Sequence, residues 1–449
     1  MQTSQLILYS VPLFVLLIAV EWVYGMARGR NTYRLNDTFC SLTLGLISRF
    51  PPAFKLGISG LVYAAAGELL GVTALSSEVW STWLLAFLLY DFSYYWKHRL
   101  CHERTLLWAS HVVHHQSEDY NLGTALRQTS SSFLFSWVFY IPMFAIGIPA
   151  DVFIAVAAVN LLYQFWVHTE HIGSLGVLDR ILVTPSNHRV HHARNAEYID
   201  ANYGGVFIVW DRIFGTYRAE RADLPPVYGT RSPLRSWNPL WANLEVYAQM
   251  LRDTWQTPKI ADKWRVWTSR TGWRPVAVAA RSNARKAAGA NARKAAGANA
   301  RKAAGANARK AAGANARKAA DAGHEKYATH APRSYRAFAV VQFFMLALTT
   351  LWVLLDIHQM ALDERAALSI LVLLSAAITA GILQGRSLAI GLEIVRSSAL
   401  LLLLVILPQS HFDLLVMQLL ILHAVFNLSA IALLWALQGL AARPPVNQP

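Results

Sequence analysis

The chain has 449 residues, of which 55% are hydrophobic, 12% aromatic and only 15% charged, a balance too apolar for an ordinary soluble protein of this length. The net charge of +15 suggests nucleic acid. However, the repeat Asn-Ala-Arg-Lys-Ala-Ala-Gly-Ala, in four complete copies and a truncated fifth between Asn283 and Ala320, supplies ten of the basic residues, and without them the charge is only +5, so nucleic acid is excluded as a partner.

The apolar residues come in blocks, several of them near the ~20 residues that a helix needs to cross a bilayer. The first, Leu6 to Val20, is closed by Glu21, Arg28 and Arg30. No positive charge precedes it and no small-x-small site follows, so it is expected to be a membrane anchor, not a signal peptide. The second runs from about Phe39 to Leu70, interrupted by Arg49-Phe50-Pro51-Pro52 and Lys55, and the third from Val79 to Trp96. Ser132–Ile148 and Val152–Val167 are expected to form a further membrane pair. A long polar stretch follows. In it, Trp237, Trp241, Trp255, Trp264, Trp267 and Trp273 mix with Arg and Lys, a pattern of helices lying in the membrane interface, with core packing as the alternative. The octapeptide repeat has no large apolar residue and reads as a solvated linker able to meet anionic headgroups. Four blocks close the chain, at about Tyr335–Leu355, Ala366–Leu383, Ser387–Leu407 and Leu414–Leu437.

These blocks give five expected segments: membrane helices over 1–78, membrane helices with a histidine-rich core over 79–230, an interfacial segment over 231–281, the linker over 282–333 and a four-helix membrane domain over 334–449. Basic residues gather at one set of block ends (Arg28, Arg30, Arg34, Lys97, Arg99, Arg104) and acidic ones at the other (Glu68, Glu78, Asp356, Asp363, Asp413). The polar stretch is therefore expected on the cytoplasmic side, in a bacterial inner membrane or the endoplasmic reticulum. There Cys40 and Cys101 would not form a structural disulfide.

Ten of the fifteen histidines lie between His98 and His192. His98 and His102 make H-x-x-x-H; His111, His114 and His115 make H-x-x-H-H; His168 and His171 make H-x-x-H; His188, His191 and His192 repeat H-x-x-H-H. Residues three or four apart share a helix face, so each group can aim two or three imidazoles at one point. Neutral imidazole ligates iron, copper, nickel and zinc, and ten rings are too many for one ion. Two ions with four or five protein ligands each would use most of them. The singles His324, His330, His358, His411 and His423 read as ordinary histidines.

The groups sit where apolar blocks end, at the depth where a metal could meet a lipid without the lipid leaving the bilayer. Oxidising an unactivated C–H bond needs redox chemistry with O2, which favours iron over zinc, although a zinc-bound water for hydrolysis fits the same ligands. Glu103, Glu118, Asp119 and Glu170 are candidates to hold ring N–H groups. Tyr203-Gly204-Gly205 permits a tight bend close to a helix, and Asp211 and Arg212 are candidates to orient ligands. The expected fold is an all-α integral membrane protein whose cytosolic helical cap holds a histidine-rich dimetal site.

At these residues the chain resembles the fatty acid hydroxylase/sterol desaturase superfamily, with its H-x3-H, H-x2-H-H and later H-x2-H-H. It resembles the alkylglycerol monooxygenase branch more closely, over "HRLCHERTLLWASHVVHHQSEDYNLGTALRQ" from His98, "QFWVHTE" from Gln164 and "TPSNHRVHHARNAEYIDANYGGVFIVWDRIFGTY" from Thr184. The similarity runs from about Asn31 to Pro275. It implies a di-iron mono-oxygenase that hydroxylates the carbon beside an ether oxygen, giving a hemiacetal that collapses to an aldehyde and glycerol, with electrons from tetrahydrobiopterin. Carried over by motif, the ligands would be His98, His102, His111, His114, His115, His168, His188, His191 and His192, with Glu103 a further functional position. His171 departs from the branch pattern, which has an apolar residue there, and the octapeptide repeat departs as well. Two other outcomes fit the residues: sterol or fatty-acyl hydroxylation or desaturation on the same metals, and a metal transporter or metal-binding protein without enzymatic activity. The transporter predicts ionisable residues along the helices, whereas these histidines sit at helix ends.

Overall fold

The computed structural model describes residues 3–54, 72–281, 326–356, 360–406 and 414–441. The octapeptide repeat, the second half of the Phe39–Leu70 block, and His324, His358 and His411 lie outside these residues. The described residues are helical, with no β-strand among them and only isolated bridges, such as Leu182 with Phe207 and Ala193 with Tyr228.

Chain contacts divide the molecule into two units. The first holds Met1–Arg99, Ser110–Asn243 and Thr329–Pro449, and the second Leu100–Ala109 and Leu244–Ala328. In the first unit, α1 (Thr3–Ala27) presents Val11, Leu13, Val15, Leu16, Val20 and Val23 outward, a dry face suited to lipid. Its inner side stacks Phe14 on Phe165 of α6 (Ala150–Trp166) at 4.2 Å. Helix α2 (Leu35–Ile47) stops before Phe50-Pro51-Pro52, where proline removes the donors that a continuing helix needs. Helix α3 (Trp80–Glu103) is unbroken for 24 residues, about 36 Å at 1.5 Å per residue. It carries both apolar residues and the first two histidines.

The expected membrane pair is half absent. Ser132–Ile148 forms two 3-10 turns, Ser132–Leu134 and Ser136–Tyr140, and a five-residue helix, Ile141–Ala145. Pro142 opens that helix, and Gly147 at φ +89° ends the segment in the left-handed region, so no continuous helix forms. The apolar side chains pack sideways instead: Tyr140, Met143, Phe144 and Ile148 form a core with Ala86 of α3 and Val152 and Val156 of α6.

Four helices follow late in the chain, α11 (Arg333–Asp356), α12 (Leu362–Leu383), α13 (Ser387–Ile406) and α14 (Leu414–Ala441). Each packs on the next, and α11 also meets α14. Two helices of the described residues are long and apolar enough to cross a membrane, Arg333–Leu355 and Leu362–Leu383.

The second unit is built on the end of α9 (Pro239–Gln256) and on α10 (Ile260–Thr268), which with Ala109 close a core of Met250 and Val266. The six tryptophans expected at an interface divide. Trp267 and Trp273 pack on that core, while Trp255 and Trp264 are exposed. Trp237, in the first unit, is buried and donates to Thr329 Oγ1.

One carboxylate locks the first unit around its site. Asp91, fully buried in α3, accepts from the backbone N–H groups of Val206 (2.8 Å) and Phe207 (3.0 Å), from Trp210 Nε1 (2.9 Å) and from Asn160 Nδ2 (2.9 Å). Gly205 must lack a side chain here, because a Cβ would come within 2.8 Å of Asp91 Oδ1. Asp91→Ala leaves these buried donors unmet, each worth roughly 1–3 kcal/mol. The variant is expected to lose at least about 3 kcal/mol of stability, read as a lower melting temperature of the purified protein in detergent; an unchanged melting temperature would contradict the assignment.

Candidate metal centre

The histidines reach the site from four places. His98 and His102 occupy the last two turns of α3, four residues apart. His111 caps the short helix α4 (Val112–His115), which holds His114 and His115. His168 follows the end of α6. His188, His191 and His192 lie on α7 (Pro185–His192), every residue of which is buried. Pro185 suits the first turn of that helix, since no donor is needed there.

Nine imidazoles converge in two groups. His98, His102, His111, His115 and His191 form one and His114, His168, His188 and His192 the other, the ligand atoms of each lying within 4.8 Å of one another. His102 belongs through α3 itself, one turn beyond His98 on the same face. The groups adjoin, with ring centroids of His115 and His192 4.3 Å apart and those of His114 and His115 5.3 Å apart.

The grouping corrects one expectation. Each H-x-x-H-H was read as aiming at one point, but each divides. His111 and His115 serve one group and His114 the other; His188 and His192 serve one and His191 the other. Successive residues on a helix diverge by about 100°, while i and i+4 nearly coincide. A paired His-His therefore faces two centres.

The hydrogen bonds fix the protons. A backbone carbonyl only accepts, so a ring nitrogen bonded to one must carry hydrogen. His98 Nδ1–H donates to Tyr203 O (2.8 Å), His114 Nδ1–H to Arg127 O (3.1 Å), His168 Nδ1–H to Gln164 O (2.7 Å) and His191 Nδ1–H to Ala201 O (3.0 Å). The Gln164 carbonyl is free for this because it lies in the last turn of α6. With Nδ1 protonated and the ring neutral, Nε2 offers a lone pair. His114 Nε2 and His168 Nε2 nonetheless face each other at 3.2 Å, an approach of two lone pairs that is unfavourable unless a cation lies between them. His98 Nε2 meets His111 Nε2 at 3.0 Å, and His168 Nε2 meets His188 Nε2 at 3.0 Å.

Burial keeps these rings neutral. It pushes His114 down to about 4 and His191 to about 3, and holds His168, His188 and His192 well below the ordinary imidazole range. Charged neighbours add to the effect, but desolvation is the largest cause. Neutral imidazole is the ligand form, so the donor set fits a pair of borderline metal ions such as iron.

Three of the carboxylates expected at the rings meet basic side chains. Glu170 pairs with Arg30 at 3.0 Å, and Asp119 accepts from Arg34 Nε at 2.7 Å. Glu118 lies 3.7 Å from Arg34, and its N–H donates to Asp37. Glu103, half-buried at the end of α3, is in neither histidine group. His171 is in neither group either and sits edge-on to Tyr24 of α1 at 5.2 Å. Arg212 lies over the Tyr217 ring at 3.9 Å instead of meeting a histidine.

Asp211 does reach a ligand, through the backbone. Fully buried, it accepts from the N–H groups of Tyr203 (2.7 Å) and Gly204 (2.8 Å) and so fixes the carbonyl that holds His98. Burial raises its carboxyl to about 6. Two further supports went unread in the sequence. Arg127, fully buried, donates from Nε to Val113 O (2.7 Å) and from Nη1 to Asp37 Oδ1 (3.3 Å), while its own carbonyl holds His114. Arg189 pairs with Glu220 and reaches Thr169 O and Ile172 O, tying α7 to the segment after His168.

Comparison with known proteins gives this geometry a family. Residues 83–216 match the fatty acid hydroxylase family model, and that span contains all nine histidines. Over this span the chain is similar to the fatty acid hydroxylase family. It is 42% identical over 267 residues to the alkylglycerol monooxygenase of Homo sapiens, covering 59% of each chain. It is 35% identical over 230 residues to that of Caenorhabditis elegans, covering 51% of this chain and 45% of the relative. Ornithine lipid hydroxylase OlsE of Rhizobium tropici is 30% identical over 140 residues, 30% of this chain and 41% of the relative. The chain thus spans less than two thirds of the length of the curated relatives that it matches. No solved structure matches it.

Two outcomes test the site. Arg127→Met removes the Val113 and Asp37 contacts, and supporting residues of this kind are worth about 10–100-fold in metal affinity. The variant is expected to lose bound metal on dialysis at a chelator concentration where the unaltered protein keeps it, and equal retention would count against Arg127 as a support. The metal-free protein should lose stability as pH falls from about 7 to 5. Unfolded imidazoles protonate near ~6.5 while the folded rings stay neutral, so the unfolded state binds more protons. A melting temperature that rises on acidification would contradict the buried, neutral rings.

Proposed function

We propose that this chain is a multi-pass membrane oxygenase with a di-iron centre that hydroxylates a lipid C–H bond, the carbon beside an ether oxygen being the first candidate. The observation that carries the reading is the inward convergence of Nε2 lone pairs, above all His114 against His168 at 3.2 Å with both N–H groups turned outward. Nitrogen ligands alone suit zinc as well as iron. The family favours redox chemistry, because the matching relatives are named as a monooxygenase, as hydroxylases and as an oxidase.

In this reading His98, His102, His111, His115 and His191 hold one iron and His114, His168, His188 and His192 the other. Bound there, the metal pair would supply the activation of O2, one oxygen atom entering the substrate and the other leaving as water with two electrons from a donor such as tetrahydrobiopterin. The chain's own work is to orient and exclude. The carbonyls of Tyr203, Arg127, Gln164 and Ala201 hold the rings, Asp211 fixes the Tyr203 carbonyl, and burial keeps competing water from the ligand face. The histidines follow the apolar helices α3 and α6, which suits a substrate that stays in the bilayer. The basic residues at this end support a cytoplasmic position for it, and in this reading 1–78 and 334–449 are membrane domains, 79–230 the core, 231–281 the interfacial segment and 282–333 the linker. Glu103 and Glu170 stand outside both histidine groups, and in this reading they act around the metal pair and not as its ligands.

A second reading keeps the metals and changes the lipid to a sterol, on the strength of 28% identity over 140 residues to the lathosterol oxidase of Homo sapiens.

The decisive experiment purifies the full chain in detergent, measures its metals, and follows O2 uptake and products with an alkylglycerol, a sterol and a ceramide. About two irons per chain are expected, with alkylglycerol-dependent O2 uptake yielding an aldehyde. His114→Ala and His191→Ala, one from each group, should each abolish turnover while the protein stays in the membrane fraction. Full activity in either variant, or zinc in place of iron with no O2 uptake, would overturn the proposal.

A further inference from the structure

The last four helices have no part in the metal centre, yet they bury a polar cluster. Glu393 and Arg396 lie six and nine residues into α13, about 9–14 Å along it, well inside an apolar bundle. Arg396 donates from Nε to Glu393 Oε2 (2.9 Å) and from Nη2 to Glu393 Oε1 (2.5 Å). Asn427 of α14 donates to Glu393 Oε1 (2.7 Å), Ser397 donates to the same oxygen (3.3 Å), Gln342 of α11 donates to Asn427, and His423 Nε2 bonds Gln342 Oε1 (3.1 Å). All of these residues are buried.

The network closes except at one atom. Arg396 is 7% exposed, and among the described residues its buried Nη1 has no hydrogen-bond partner. An orphaned guanidinium donor in a dry bundle costs several kcal/mol. Arg396 also borders a cavity of about 10 Å³ lined by Leu346, Thr349, Leu371, Ser375 and His423, enough for one oxygen-sized group. A purely structural network explains neither the leftover donor nor the space beside it.

We propose that the C-terminal bundle carries a second ligand site, which takes the neutral oxygen of a bilayer lipid (an ester carbonyl or hydroxyl) on Arg396 Nη1. The charge balance selects a neutral acceptor. Glu393 already compensates Arg396 with two bonds, so a carboxylate or phosphate would leave a net negative charge in a medium that solvates ions poorly. The surroundings select a lipid over a lone water. Leu346, Leu371 and Val372 line the cavity, and Leu348, Ile370 and Leu374 beside them are exposed apolar residues on two helices suited to a bilayer, where an acyl chain can lie. This site is independent of the histidine groups and of the reaction proposed for them.

The test reconstitutes the full chain in lipid nanodiscs with a photoactivatable diacylglycerol and maps the labelled peptides by mass spectrometry. Labelling is expected within 333–356, 362–383 or 387–406. Ser375→Leu fills the cavity at the cost of one hydrogen bond within its own helix, to Leu371 O. Arg396→Lys removes Nη1 but keeps a cation for Glu393. Each variant is expected to label about tenfold less, the loss of roughly one hydrogen bond, with metal bound at the histidines as in the unaltered protein. Equal labelling in Ser375→Leu would mean that the cavity holds only water and would overturn the proposal. Stronger labelling by a photoactivatable phosphatidic acid would overturn the neutral-acceptor assignment.

Discussion

The structure of the core depends on where nine imidazoles put their protons. A buried imidazole has one hydrogen and one lone pair to place, and a dry interior makes either one expensive to leave unmet. Here four rings turn the hydrogen outward to the carbonyls of Tyr203, Arg127, Gln164 and Ala201, so the lone pairs must face inward. The resulting cluster is self-repelling as a set of neutral rings and strongly attracting toward a cation. Those four carbonyls come from three kinds of backbone: the open last turn of α6, the bend after Ala201, and the turn ending at Arg127. None of them is spare by accident. Each is released because a side chain or a helix terminus satisfies the rest of its segment.

That release explains why the buried carboxylates serve the backbone and not the metals. Asp91 gathers two N–H groups, an indole and an amide. Asp211 gathers two N–H groups and the Thr216 hydroxyl. Asp37 accepts from Ser117, Glu118 N–H and Arg127. Asp91 and Asp37 tie segments far apart in the chain, whereas Asp211 fixes the bend that holds His98. A carboxylate ligating the metal would bring negative charge and a different geometry. The nine histidines would offer any bound cations nitrogen donors without protein negative charge.

Much of this was legible in the residues, for identifiable reasons. The convergence of nine histidines could be read because residues three or four apart share a side of a helix, and because two copies of H-x-x-H-H do not arise from surface decoration. The late helices could be read because hydropathy reports length and composition directly. The block at Ser132–Ile148 could not, since hydropathy alone does not separate a spanning helix from apolar turns packed on α3 and α6; Pro142 and Gly147 were the available signals. The supports were harder still. Glu118, Asp119 and Glu170 are near in sequence, but at four rings the N–H goes to a backbone carbonyl, which carries no residue identity. Arg127 acts through its own carbonyl and a long-range contact to Asp37, neither of which leaves a pattern in the chain.

The divided H-x-x-H-H carries a consequence for how two centres can be built from so short a segment. Within each motif the i and i+4 histidines supply one centre and the i+3 histidine the other, so the adjacent pairs His114-His115 and His191-His192 each span both. Two helices of four and eight residues, with the N-cap His111 of the first, therefore supply six of the nine converging histidines. Shifting either helix by one residue would exchange the roles of its rings and place a lone pair against a protonated nitrogen. This coupling makes the site all-or-none: a distortion that weakens one centre displaces a neighbouring ring of the other. It also gives a reason for rigid anchoring at Arg127 and Arg189, which tie α4 to Asp37 of α2 and α7 to the segment after His168.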